Sequence, residues 1–136
     1  MEEAERAELF FDELAPAVSH YTHAVRFGNL LFISGMVGLD RNLKVVSHDV
    51  AEQAEKIFQD LHLILDRVGA NFSDVLKVTV FLTDVNDRTK INPVRQKYFG
   101  SSLPASTLIG ITALVMPELK VEIEAVVGIP KRSTAQ

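Results

Sequence analysis

The chain contains no cysteine, so disulfides, thiolate nucleophiles and cysteine-ligated metals are excluded. Lysine and arginine form no run longer than the Lys131-Arg132 pair, and the net charge is −4. That is the wrong electrostatic footprint for a nucleic-acid surface. No apolar stretch approaches the ~20 residues that a membrane-spanning helix needs. The opening residues, Met1-Glu2-Glu3-Ala4-Glu5-Arg6-Ala7-Glu8, lack the basic start and apolar run of a secretory signal. A cytoplasmic protein without membrane contact is expected, and nucleic acid is not an expected partner. The Gly-x-Ser-x-Gly elbow of a serine hydrolase is missing around Ser34. His48 and His62 have no partner at metal-ligand spacing, so neither a metal nor a cofactor is expected.

What is present is ample apolar material, 47% of 136 residues. A chain of this size buries roughly two-thirds of its unfolded surface, and one domain over 1–136 is expected. Residues 1–14 read as a peripheral leader of helical character, with Leu9, Phe10, Phe11 and Leu14 able to dock. Residues 130–136 read as a frayed tail.

Between these ends the pattern alternates. His23–Phe27 and Leu30–Ser34 flank Gly28-Asn29, a pair that supplies positive φ in a two-residue hairpin turn. Gly35 and Gly38 end that second strand, and Leu43–Val46 offers a third. Asp49 with Glu52 three residues on predicts a helix N-terminus closed by a reciprocal capping box. Val50, Ala54, Ile57, Phe58, Leu61, Ile64, Leu65 and Val68 then recur at helical spacing until Gly69. Val75–Leu82 is a strand apolar on both faces. A second helix carries Ile91, Val94, Tyr98 and Phe99, with Asn92 near its cap and Pro93 in its first turn or at a kink. Strands over Ser106–Ala113 and Lys120–Val127 finish the chain. The order predicts an α+β fold, one sheet with two helices on one face. Val78, Val80 and their neighbours are expected on the other face, which needs the cover of a second subunit.

Few residues carry chemistry. Glu122 and Glu124 share a strand face about 6.6 Å apart, as a solvated sheet face, a strand edge kept from sticking by charge, or a functional site would. A buried Glu122 beside Glu124 would have a raised pKa suited to moving protons. Tyr21 and His23 share a face if extended, and His23 is either a pocket donor or a strand-edge histidine. Ser34 reads as a wall residue, and Lys77 as a snorkelling or paired lysine.

Several segments resemble the RidA (YjgF-type, reactive intermediate deaminase) family, in order over about residues 15–128. They are Tyr21 with Ala24-Val25 and Gly28–Gly35; Glu52-Gln53; Val68-Gly69-Ala70 leading to Asp74–Asp84; Asn92 with Tyr98-Phe99; and Val121–Ala125. The resemblance implies a chorismate-mutase-like (ferredoxin-like) fold, and a homotrimer with sheets packed as a central barrel and a pocket at each subunit interface. It also implies a cofactor-independent hydrolase or deaminase acting on C–N bonds, an imine or enamine, in a small-molecule substrate. By position Tyr21 and Glu122 match the family's catalytic Tyr and Glu, and Ser34 its pocket Ser; Asn92 is carried over as substrate-binding. The family's carboxylate-clamping Arg is missing: Ser106 stands in its place, followed by Thr107. A Ser hydroxyl offers one neutral donor where a guanidinium offers a charged fork, so weak activity on ordinary 2-imino acids is expected. Backbone amides near Ser106 and Thr107, His23, Arg26 and Arg95 are the available substitutes. The alternatives are a non-catalytic trimer binding a metabolite or partner in the same pocket and, less favoured, an endoribonuclease.

Overall fold

The computed structural model describes residues 4–131, so the expected frayed tail falls mostly outside the described residues. Six strands form one mixed sheet: β1 (Arg6–Leu9), β2 (Ala24–Phe27), β3 (Leu30–Val37), β4 (Val75–Leu82), β5 (Ala105–Gly110) and β6 (Val121–Gly128), in the order β1-β2-β3-β6-β4-β5. Two helices, α1 (Val50–Arg67) and α2 (Arg88–Phe99), complete it. The β2–β3 hairpin turns at Gly28-Asn29, where Gly28 has φ 61°. β4 and β5 run parallel, joined through α2, and every other neighbouring pair is antiparallel.

Both helices cover one face of the sheet. Ile57, Leu61 and Ile64 of α1 and Ile91 and Phe99 of α2 share a core with Leu31, Val78, Val80, Leu82, Val121, Ile123 and Val127. Val78 and Val80 therefore lie under the helices rather than on the open face. A period of two leaves the choice of face undetermined; pairing of Val78 with Ala125 and Val80 with Ile123 decides it. The open face carries Phe32, Lys77, Thr79, Phe81, Glu122, Glu124 and Val126, which pair across the strands.

The leader is a strand rather than a helix. Arg6–Leu9 pairs antiparallel with β2, because an unpaired β2 edge offers backbone partners that an isolated short helix lacks. Phe11 and Leu14 then enter the core. Residues 43–46 add no strand: Asp40 Oδ1 accepts from the backbone N–H groups of Asn42 and Lys44, and only Leu39 and Val45 pair.

At the start of α1, Asp49 caps Ala51 N–H at 3.1 Å as expected. In place of the expected reciprocal bond, Glu52 Oε1 accepts from the Ser47 hydroxyl, whose oxygen in turn accepts from Asp49 N–H. Gly69 ends the run with φ 74°. α2 starts at Arg88, earlier than expected, because a 3₁₀ turn over Val85–Asp87 leads into it. Pro93 sits inside the helix, where its missing N–H removes the bond to the carbonyl four residues back.

Candidate active site

β2 stops at Ala24 while β3 runs on to Val37, so the last residues of β3 lack a β2 partner. A cleft of about 480 Å³ opens along that edge. The loop that includes Leu14, Pro16 and Tyr21 walls it on one side, and Asp60 and Ile64 of α1 on another. Tyr21, His23, Ser34, Glu122 and Glu124 all line it. Five residues singled out from the sequence thus converge on one cleft.

Glu122 projects from β6 on the open face, and its carboxylate lies over Gly35. A Cβ added to Gly35 would stand 2.4 Å from Glu122 Oε2. β3 accommodates this with an irregularity in its ladder between Ile33 and Met36, where the backbone leaves regular pairing with β6. Burial, and then the charge of Glu124, push the Glu122 pKa up from the ordinary glutamate range. No group among the described residues hydrogen-bonds this carboxylate. An unpaired, partly buried acid with a raised pKa is poised to exchange protons with whatever occupies the cleft.

The other residues have structural duties. Ser34 Oγ donates to Thr22 O at 2.6 Å, so its proton is engaged and it forms wall rather than nucleophile. His23 Nδ1 accepts from Phe11 N–H at 2.9 Å. Its Nε2 therefore carries the hydrogen and donates to Ala15 O, also at 2.9 Å. With both nitrogens committed, His23 is a brace that fixes the loop over the cleft and not a free pocket donor. Tyr21 is exposed, and its hydroxyl makes no bond among the described residues.

Asp60 escaped the sequence reading, and Gly35 was read only as the end of a strand that runs on to Val37. Asp60 is buried at the cleft wall, bonded to Lys56 at 3.0 Å, and burial raises its pKa against the pull of that lysine. A polar residue inside the buried stripe of α1 was the available signal. Gln53 is a further one: fully buried, it donates to Ser47 O and Glu118 O and accepts from Lys120 N–H, tying α1 to the start of β6.

Ser106, Thr107 and Asn92 are elsewhere. β5 is the sheet's edge, three strand positions from β3, or about 14 Å at the usual spacing. Ser106 faces the helices, where Arg95 Nη2 donates to its Oγ at 2.9 Å. Thr107 faces the open side, where Lys77 Nζ donates to its Oγ1 at 2.6 Å. Asn92 is exposed on α2, one turn before Arg95. One chain therefore holds two separated groups, a cleft around Glu122 and a polar edge around Ser106. Among the described residues no cluster of three or more His, Asp or Glu is placed to hold a metal, and no helix is long and apolar enough to cross a membrane.

A mixed sheet, two helices on one face and an acid-lined cleft at a strand edge define a compact α+β class of protein. Residues 12–129 match the family described as Endoribonuclease L-PSP. A RutC family protein of Pyrococcus abyssi is 36% identical over 121 residues, 88% of this chain and 94% of that protein. The 2-iminobutanoate/2-iminopropanoate deaminase of Homo sapiens is 36% identical over 111 residues, 81% of this chain and 80% of that one. The crystal structure of RidA from an Antarctic Psychrobacter superposes with a TM-score of 0.84 at 31% identity, covering 90% of this chain and 99% of that one. The chain belongs to this family, which includes the RidA and YjgF proteins.

Proposed function

We propose that the protein hydrolyses the C=N bond of a small imine, or of the imine tautomer of an enamine, without a cofactor. The observation that carries this reading is the unpaired Glu122 carboxyl over Gly35, partly buried in the cleft, with its pKa raised by that burial. The ionised carboxylate takes a proton from water as the water oxygen bonds to the imine carbon, and the nitrogen is protonated. Collapse of the resulting carbinolamine breaks the C–N bond; its hydroxyl proton and the proton held on Glu122 end on the leaving ammonia and on solvent, leaving a carbonyl. Tyr21 and Ser34 shape the cleft around these steps. A relative's name, imine deaminase, agrees in chemistry. Three carboxylates line the cleft, Asp60, Glu122 and Glu124, which disfavours a phosphodiester and with it the endoribonuclease reading.

The working form in this reading is a homotrimer. The open sheet face exposes Phe27, Phe32 and Leu76 by about half each, an apolar patch that a second layer would remove from water. The same assembly brings the Ser106 edge of one copy to the cleft of the next, joining the two groups that one chain keeps apart. Judged from β5 alone, Ser106 would hold a 2-imino acid poorly.

The test is a coupled assay for 2-iminopropanoate and related imines with Glu122→Gln and Glu124→Gln. Glutamine keeps size and one acceptor but moves no proton near neutral pH. The expected loss for Glu122→Gln is about 10²–10⁴-fold in rate, with far less for Glu124→Gln. Equal losses from the two variants, or none from Glu122→Gln, would overturn the role of Glu122. Binding without turnover of any imine would favour a non-catalytic metabolite-binding trimer.

A further inference from the structure

The loop over residues 10–20 is a partition with space on both sides. The Glu122 cleft of about 480 Å³ lies on one side and a second cavity of about 520 Å³ on the other. Leu14, Pro16 and His23 line both. Among the described residues, the hydrogen bonds that tie this loop to the rest of the chain come from two side chains. Arg67 pairs with Glu13 in an exposed position. The His23 ring holds the other side, accepting from Phe11 N–H and donating to Ala15 O. The backbone beneath the ring is anchored separately: Thr22 O accepts from Ser34 Oγ, and His23 O from Ser34 N–H. The ring is therefore free to change partners while its strand stays in place.

Only the neutral ring makes both bonds. A proton on Nδ1 turns the acceptor for Phe11 N–H into a second donor, set against a donor. Histidine is the side chain whose charge ordinarily changes between about pH 5 and 8. We infer that His23 is a positioning residue worked by a proton: neutral, it closes residues 10–20 over the Glu122 cleft; charged, it releases Phe11 and lets that wall open. The inference rests on the proposed function, in that the Glu122 cleft is the working site. The charges around the ring favour the released form. Asp60 of α1 lies on the cleft wall, where burial raises its pKa and Lys56 and a charged His23 pull it down. It offers the displaced Nδ1–H an anionic neighbour. Glu122 and Glu124 add negative charge from β6 and Asp12 from the loop, while Arg41 across the second cavity and Lys56 oppose. The far side of the loop does not respond. The Arg67 bond lowers the Glu13 pKa further, so that pair stays ionised where histidine titrates.

The experiment follows amide exchange by NMR in the full chain, wild type and His23→Gln, from about pH 5 to 8, each rate divided by its intrinsic rate. Glutamine carries an acceptor and a donor for the same two partners and never charges. In wild type, Phe11 N–H should lose about 5- to 100-fold of its protection on the acid side, the range for a hydrogen bond lost at a buried donor. His23→Gln should hold that protection level. Ring nitrogen shifts of the wild type test the same point without a variant: Nδ1 should be bare in base and protonated in acid, and the Phe11 amide signal should move with it. Protection that stays level in wild type, or falls equally in His23→Gln, would overturn the inference. Turnover of 2-iminopropanoate carries the test to the cleft. Glu122 titrates in both proteins, so the ratio of their KM values isolates the ring. The ratio should be near unity in base, and the wild-type KM several-fold the higher in acid. A ratio that does not move with pH would overturn the link between loop and cleft. The exchange pattern without turnover of any imine would uphold the proton-worked loop while defeating the hydrolase reading. Turnover with level exchange would do the reverse.

Discussion

Replacing Gly35 by Ala separates the position of the Glu122 carboxylate from its identity. The added Cβ would meet Glu122 Oε2 at 2.4 Å and Cδ at 2.6 Å, against an ordinary contact of 3.4 Å or more. The carboxylate must therefore retreat by about 1 Å, and misplacement of that size can lower a rate about 10²-fold. Stability should hardly change. The atom in the way is the end of a flexible side chain, and Gly35 does not need a positive φ. A gain of about 0.4–1 kcal/mol from a stiffer unfolded chain offsets the local adjustment. The assay is turnover of the best imine substrate beside thermal melting, on Gly35→Ala, Glu122→Gln and the double variant. The expected result is a melting temperature near wild type, a rate down about 10²-fold, and little further loss when Gly35→Ala is added to Glu122→Gln. Full activity in Gly35→Ala would show that the carboxylate has no required position. A fully additive double variant would show that Gly35 acts through something other than Glu122.

Three further outcomes follow from the same contacts. Because burial raises the folded-state pKa of Glu122, the folded protein holds a proton that the unfolded chain releases, and stability falls as pH rises through that window. Glu122→Gln should therefore melt above wild type near pH 8, with the gap closing below about pH 4, where both states are protonated; a gap that persists in acid would refute the cause. His23→Leu strips the acceptor from Phe11 N–H and the donor from Ala15 O, so chemical denaturation should show a loss of about 1–3 kcal/mol, and an unchanged midpoint would mean that the loop needs no brace. Phe32→Asp puts a charge on the open face, and light scattering should then report single chains where the wild type gives trimers; a wild type that is already a single chain would remove the trimer from the argument.

Much of the scaffold was legible because its causes are local. The Gly28-Asn29 turn, the Asp49 cap, the helical period up to Gly69 and the apolar run of β4 each depend on residues a few positions apart. The candidate site was legible in part for a different reason: Tyr21, Ser34 and Glu122 sit in segments whose residues resemble a family, and the fold does bring these three to one cleft. The errors cluster where a partner distant in sequence decides. The leader became β1 because β2 offered it an edge, and Val78 and Val80 went under the helices because β6 set their register.

The sequence by itself determined most of the elements after the leader and their order, the absence of thiol chemistry and the family. Only the tertiary structure decided which groups meet. Gly35 lies under a carboxylate 87 residues away, His23 spends both nitrogens on the loop before it, and Arg95 reaches from α2 to the Ser106 hydroxyl on β5. Periodicity and capping act over one or two turns of chain, and a sequence displays them directly. Contacts across a sheet or between a helix and a strand depend on register, crossover and burial together, and those are fixed only when the whole core packs.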